Sequence, residues 1–374
     1  PQHAREAAKF GIEARVVATP DDIGPGVNVT NYDKVDRFDP SAFAGVVLDE
    51  SSIIKSFTGA TTRKLMRMFA ATPFRLACTA TPSPNDHMEL GQHSQFLGAM
   101  ASSEMLTRFF IADQTNMGRY RLKGHAVRPF WSWVASWARC LSRPSDLGHD
   151  DAGFALPELK LIRHEVRADI GVDTGGLLFR IPDTSATAIH REKRLTTEAR
   201  ADRIAEVVNA EPGEAWVVWC DTDYEADALT ARIRDAVEVR GSMPEKVKED
   251  RLVGFFEGRV RVLVSKPSIA GFGLNWQHCA RMAFVGLSFS YEAFYQAARR
   301  CWRFGQTRTV ECHVALADTE RAIWDVISRK SGDHEAMKTE MYAAMRRATE
   351  TRRVRLDYRP AVPLALPAWM EARP

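Results

Sequence analysis

The sequence predicts an α/β protein made of two successive units, each a mostly parallel sheet covered by helices. One observation is that short apolar runs alternate with helical patterns, first over residues 14–80 and again over 215–316. These runs are nearly continuous in apolar character, as in strands buried on both faces, where crossover helices link parallel neighbours. A second is size and balance: 374 residues, 45% apolar and 26% charged, suffice for two cores. Two such units in one chain imply two similar lobes with a cleft between them.

In the first unit "ARVVA" (14–18), "VNVT" (27–30), "GVVLD" (45–49) and "FRLACTA" (74–80) are predicted strands, and Leu65, Met66, Met68 and Phe69 mark a helix between the last two. Residues 87–160 break this rhythm with a helical, Trp-rich stretch that leads toward a linker. Regular alternation resumes near residue 196. "AWVVWC" (215–220) is a strand, and Ala226, Leu229 and Ile233 give the next segment one apolar helical face. "SMPE" (242–245) has the form of a capping box with Pro just inside a helix that runs through Phe255 and Phe256. "VRVLVS" (260–265), "MAFVGL" (282–287) and "TVECHVAL" (309–316) are further strands, and a last helix starts near Asp318. The segment "QAARRCWRFGQ" (296–306) is predicted as a helix on which Gln296, Arg300 and Arg303 share one face, with Arg299 on the next stripe and Gly305 as terminator.

The charge balance, 51 basic against 48 acidic residues for a net +3, permits a nucleic-acid partner without requiring one. The excess is local: Arg346, Arg347, Arg352, Arg353, Arg355 and Arg359 crowd the C-terminal end. Six scattered cysteines without a CxxC pair argue against a zinc site or a disulfide framework, and adjacent pairs such as His278-Cys279 point to opposite faces of a strand. With no run long enough for a membrane span, a reducing, cytoplasmic setting is expected.

Three stretches carry candidate chemistry. "GVVLDESS" ends a strand on Asp49 and Glu50, where ligands of open parallel sheets lie. One carboxylate there can hold Mg²⁺ while the other deprotonates water, although a turn or helix cap also uses such a pair. "CTATPSPND" places Thr79, Thr81 and Asn85 after the next strand, as coupling residues or as an ordinary turn. In "SIAGFGLNW" (268–276), Gly271 and Gly273 allow close backbone approach.

In this order the stretches resemble the helicase superfamily of two RecA-like lobes, most closely its Swi/Snf-type branch, including versions carried by bacteriophages. "DESS" looks like the DExx box, "TATP" like the third motif, "SIAGFGLNW" like the fifth and "QAARRCWRFGQ" like the sixth, met at Gln296, Arg300, Arg303, Gly305 and Gln306, with Arg299 where the family usually has Gly. The resemblance implies an ATP-dependent helicase or translocase with ATP and Mg²⁺ as cofactors and nucleic acid, double-stranded DNA first, as partner. It implies Asp49, Glu50, Arg300 and Arg303 as catalytic residues with Asp49 on the metal, Gly271, Gly273 and Gln296 as nucleotide-binding, and Thr79 and Thr81 as coupling residues. "NVTNYDKV" (28–35) resembles the family's strand-edge contact with nucleic acid. Thr30, Asn31, Thr222 and Ser268 are the expected nucleic-acid contacts, being short polar side chains at strand ends. The expected layout is a first lobe over 1–165 with a helical insertion, a linker over 166–195, a second lobe over 196–332 and a basic helix and tail over 333–374. The family's GxGK[ST] phosphate loop is absent from the 48 residues before Asp49 and the chain starts without Met, so it reads as part of a longer motor that by itself binds ATP poorly. The other expectation is an inactive two-lobe scaffold that binds nucleic acid.

Overall fold

The computed structural model describes residues 2–83, 85–112, 120–147, 149–167, 186–270, 275–288, 290–317 and 320–351. The strands are β1 (Ala14–Val16), β2 (Val27–Val29), β3 (Gly45–Asp49), β4 (Phe74–Cys78), β5 (Phe110–Ala112), β6 (Tyr120–Leu122), β7 (Leu159–Val166), β8 (Trp216–Trp219), β9 (Ala236–Val239), β10 (Val262–Ser265), β11 (Arg281–Phe284) and β12 (Val310–Ala317). The helices are α1 (Gln2–Lys9), α2 (Ala60–Met68), α3 (Leu90–Leu97), α4 (Ser102–Phe109), α5 (Val127–Trp137), α6 (Ala186–Ala210), α7 (Asp223–Arg232), α8 (Glu245–Phe256), α9 (Pro267–Ala270), α10 (Tyr291–Ala298) and α11 (Arg321–Thr351).

Six strands form one sheet in the order β7-β12-β11-β8-β10-β9, with every neighbouring pair parallel. Its central strands explain the continuous apolar runs. Val217, Trp219, Leu263 and Met282 enter one core layer, whereas Trp216, Val218, Val262 and Ala283 enter another. Strand β7 pairs with β12 along its whole length, so residues 159–166 extend this sheet, although the lobe boundary read from the sequence falls at 165.

The helix starts show which local signals won. Thr222 caps α7: its Oγ1 accepts the Glu225 N–H at 3.4 Å, while Glu225 Oε2 accepts the Thr222 N–H at 3.1 Å. That reciprocal box lies at "TDYE" (222–225) rather than at "SMPE". Pro244 instead takes the flanking N-cap position of α8, in extended geometry (φ −54°, ψ 142°) and without a side-chain bond, so α8 starts two residues later than the box would place it.

Beneath α7 lies a buried ion pair. Arg200 of α6 is fully buried; its Nη1 donates to Glu225 Oε1 at 3.0 Å, its Nη2 to the Lys193 carbonyl at 2.6 Å and its Nε to Thr196 Oγ1 at 3.0 Å. Nη1 also donates to the Val285 carbonyl just beyond β11. Breaking such a pair from one side strands a buried charge, at a cost of about 3–5 kcal/mol. Arg200→Leu is therefore expected to move the urea midpoint of the protein down sharply, and Arg200→Leu with Glu225→Gln to recover part of the loss. An unchanged midpoint in the single variant would contradict this role.

In the N-terminal region, β1 pairs with β2 and β3 with β4, both parallel, as two separate two-stranded sheets. Leu48 at 3% exposure packs with Ile54, Leu65, Phe69 and Phe96, whereas Val47 is 62%, Phe74 61% and Leu76 54% exposed. The expectation of one sheet covered on both faces is thus corrected. Side chains alternate across the pleat, and among the described residues one face of the β3–β4 pair carries a core while the other does not.

The chain divides into two compact units. One comprises residues 1–108 with 141–336 and holds the candidate functional residues that lie among the described positions. The other comprises 109–140 with 337–374. It contains the antiparallel β5–β6 hairpin and α5, with the rings of Phe109, Phe130 and Trp133 in mutual contact at centroid distances of 5.3–5.8 Å. Arg352, Arg353, Arg355 and Arg359 lie outside the described residues. Among the described residues no helix is long and apolar enough to cross a membrane.

Candidate functional site

Strand β3 delivers Asp49 to its carboxyl end, where the Tyr32 hydroxyl fixes the backbone by donating to the Asp49 carbonyl at 2.6 Å. Asp49 Oδ1 accepts the Glu50 N–H at 3.1 Å, and Oδ2 lies 2.9 Å from His3 Nε2 on α1. Glu50 is left-handed (φ 50°, ψ 49°), a conformation that costs a non-glycine residue about 1–3 kcal/mol and that turns the chain sharply out of the strand. Gln296 of α10, distant in sequence, donates from Nε2 to Glu50 Oε2 at 3.4 Å. Beside it, Lys55 and Glu292 form an ion pair.

The charges at this meeting point perturb one another. Desolvation, followed by the neighbouring Asp49, pushes the Glu50 carboxyl above its ordinary range, while Arg300 pulls it back. Burial and then Arg303 lower the Arg300 guanidinium from its usual value, and Glu50 opposes them. A carboxylate raised toward neutrality is a better proton acceptor than a fully solvated one.

The arginine segment is not the continuous helix expected. Helix α10 ends at Ala298; Arg300 N–H then bonds the Ala297 carbonyl and Cys301 N–H that of Ala298, both at 3.2 Å, as tight turns, and Gly305 has φ +89°. Cys301 is wholly buried and Trp302 Nε1 donates to the Pro157 carbonyl at 2.7 Å, so tertiary anchoring overrides helical spacing. The three arginines consequently diverge. Arg300 lies in the field of Glu50, Arg303 donates to Asn275 Oδ1, and Arg299 sits over the rings of Trp302 (5.2 Å), Phe304 (5.7 Å) and Tyr295 (6.0 Å). Gln306 Nε2 donates to the carbonyls of Gln277 (2.8 Å) and Cys279 (3.0 Å), tying the segment's end to the loop before β11.

The remaining candidates are dispersed. Thr79 Oγ1 accepts the Thr81 N–H at 3.1 Å, and Thr81 is fully buried. Thr30 and Asn31 are exposed after β2, Thr222 caps α7 and Ser268 lies on α9. Ser268 lines a cavity of about 110 Å³ at the carboxyl ends of β8 and β10 together with Asp221 and Lys266. Gly271 and Gly273 lie outside the described residues. Five residues were not among the predicted candidates: His3 against Asp49, Lys55 and Glu292 as an ion pair, Asn275 under Arg303, and Lys266, which pairs with Asp223 at 2.8 Å. Lys266 had a usable signal, since it directly follows a predicted strand, and Asn275 had one in its place within 268–276.

Among the described residues no three His, Cys, Asp or Glu side chains converge as a metal site. Asp49 nevertheless suits Mg²⁺, a hard cation that takes one or two carboxylates and completes its shell with phosphate and water.

Residues 199–305 match the helicase conserved C-terminal domain. The matched stretch contains four strands of the large sheet, β8 to β11, and both Gln296 and Arg300. Among solved structures the chain is similar to the C-terminal part of the Fun30 ATPase domain, at 16% identity, covering 39% of this chain and 54% of that one with a TM-score of 0.32. It is also similar to a Dbp5 variant of S. cerevisiae bound to RNA and ADP with beryllium fluoride, at 13% identity, covering 91% and 76% with a TM-score of 0.49. The chain therefore spans about half the length of the Fun30 structure. No curated protein matches it.

Proposed function

We propose that the chain is the motor portion of an ATP-driven translocase of the Swi/Snf type that moves on nucleic acid, double-stranded DNA first. The observation that carries this reading is the meeting of Glu50 with Gln296 and Arg300 beside the helicase-type domain's sixth-motif segment. Mg²⁺-bound ATP supplies the phosphoryl group and the driving energy. Asp49 holds the ion through its strand-end carboxylate. Glu50, with its raised carboxyl, takes the proton of the attacking water. Arg300, with Arg303 behind it, faces the negative charge that develops on the transferred group. Gln296, Gly271 and Gly273 contribute to the nucleotide pocket, and Thr79 and Thr81 couple it to the track.

Thr30, Asn31, Thr222 and Ser268 contact the phosphate backbone in this reading, with Lys266 beside Ser268. No GxGK[ST] pattern occurs among the 374 residues, so these residues alone should turn ATP over little. Titrating duplex DNA of several sequences between about 50 and 200 mM salt tests the track: affinity should fall steeply with salt and vary little with sequence. Affinity independent of salt, or a strong preference among duplexes of equal length, would count against it.

A further inference from the structure

Helices α2, α3 and α4 enclose an open groove of about 890 Å³ that no residue of the proposed nucleotide site lines. Its lining is amphipathic and of one charge sign. Phe57, Met66 and Leu106 supply apolar wall, Arg63 and Arg67 supply cations, and no carboxylate lines it. Arg63 and Arg67 stand one turn apart on α2, a like-charge spacing that disfavours a helix. Neither pairs with a carboxylate among the described residues, whereas Lys64 between them pairs with Asp36 at 2.7 Å on the other side of the helix. The sequence thus neutralises the cation that faces away and leaves the two that face the groove.

Thr62 lies beneath this lining at 2% exposure. The opposite wall is fixed: Gln92 Nε2 donates to Ser102 Oγ at 3.2 Å, and Ser102 Oγ donates to the Gly91 carbonyl at 2.8 Å, locking α3 to α4.

We propose that this groove docks an acidic, amphipathic helical segment of a partner protein. An α-helix of about 5 Å radius and 5.4 Å pitch would fill the groove's volume with roughly two turns. Its apolar face would cover Phe57, Met66 and Leu106, and its carboxylates would meet the guanidinium forks of Arg63 and Arg67. A nucleic-acid backbone would satisfy the arginines but brings no aliphatic surface to bury against the apolar wall.

The test uses a fluorescent synthetic peptide helix, Leu along one face and Glu along the other, titrated into the protein and followed by anisotropy. Binding should saturate, weaken with salt, and drop about tenfold in affinity when Arg63→Glu and Arg67→Glu are combined. Lys64→Glu, on the same helix but outside the groove, should leave it nearly unchanged. Both arginines are exposed, so the variants should keep the native circular-dichroism melt; Arg63→Gln with Arg67→Gln gives a milder series that must show the same order. The proposal is overturned by absence of saturable binding, by equal weakening in Lys64→Glu, by equal affinity for a scrambled peptide of the same charge, or by displacement of the peptide with a duplex DNA or RNA oligonucleotide.

Discussion

Truncating Arg300 to alanine in the intact protein is expected to lower nucleic-acid-stimulated ATP turnover by about 10³-fold, the scale of a lost arginine finger. Glu50 supplies its main favourable field, so in the proposed mechanism removing Arg300 would take away the cation that faces the phosphoryl group. Arg303→Ala should also slow turnover strongly. Its anchor on Asn275 makes Asn275→Ala a partial mimic, because the guanidinium then loses its orientation but not its charge. Arg299→Ala should cost far less, since that guanidinium packs on Trp302, Phe304 and Tyr295 instead of facing the acids. Nucleic-acid affinity without nucleotide should change little in the Arg300 and Arg303 variants. Equal loss of nucleic-acid affinity in all three, with turnover retained at saturating nucleic acid, would make the segment a basic surface.

Glu50→Gln should reduce hydrolysis to a small residual rate while leaving ATP and nucleic-acid binding largely intact. The amide keeps the shape and still accepts a hydrogen bond from Gln296, but it cannot take a proton from water. The raised carboxyl sharpens this expectation: the kcat profile of the native protein should fall as pH drops through the elevated Glu50 value, and Glu50→Gln should remove that limb. Comparable loss of ATP binding in the variant would show that Glu50 holds structure instead, a possibility that its left-handed backbone makes worth measuring.

Four strands of the large sheet, β8, β10, β11 and β12, were legible because they are buried and read as apolar runs, whereas the half-buried edge strand β9, interrupted by Glu238, was not among the predicted strands. Strand β7 was harder. Its residues 159–166 alternate in exposure as an edge strand does, and its partner β12 lies some 150 residues downstream, beyond any local signal. The acids at the end of β3 were legible from position alone, since a strand that finishes in Asp-Glu must present carboxylates at its carboxyl end. The course of residues 299–305 was not, because helical spacing there competes with the burial of Cys301 and the Trp302–Pro157 bond, which only tertiary structure reveals. His3 gives no warning of its contact with Asp49. A lone histidine in a short amphipathic helix carries no pattern, and its partner is set by where α1 docks.

In the proposed mechanism Glu50 and Arg300, from distant parts of the chain, act on one nucleotide. A double-mutant cycle on turnover tests it most directly, combining Glu50→Gln with Arg300→Ala and comparing the pair with each single variant. If both groups serve the same transition state, the double variant should be about as slow as the slower single one, because groups that act as a unit are strongly non-additive. Losses that multiply fully across the pair would contradict the claim and separate the two residues into independent roles.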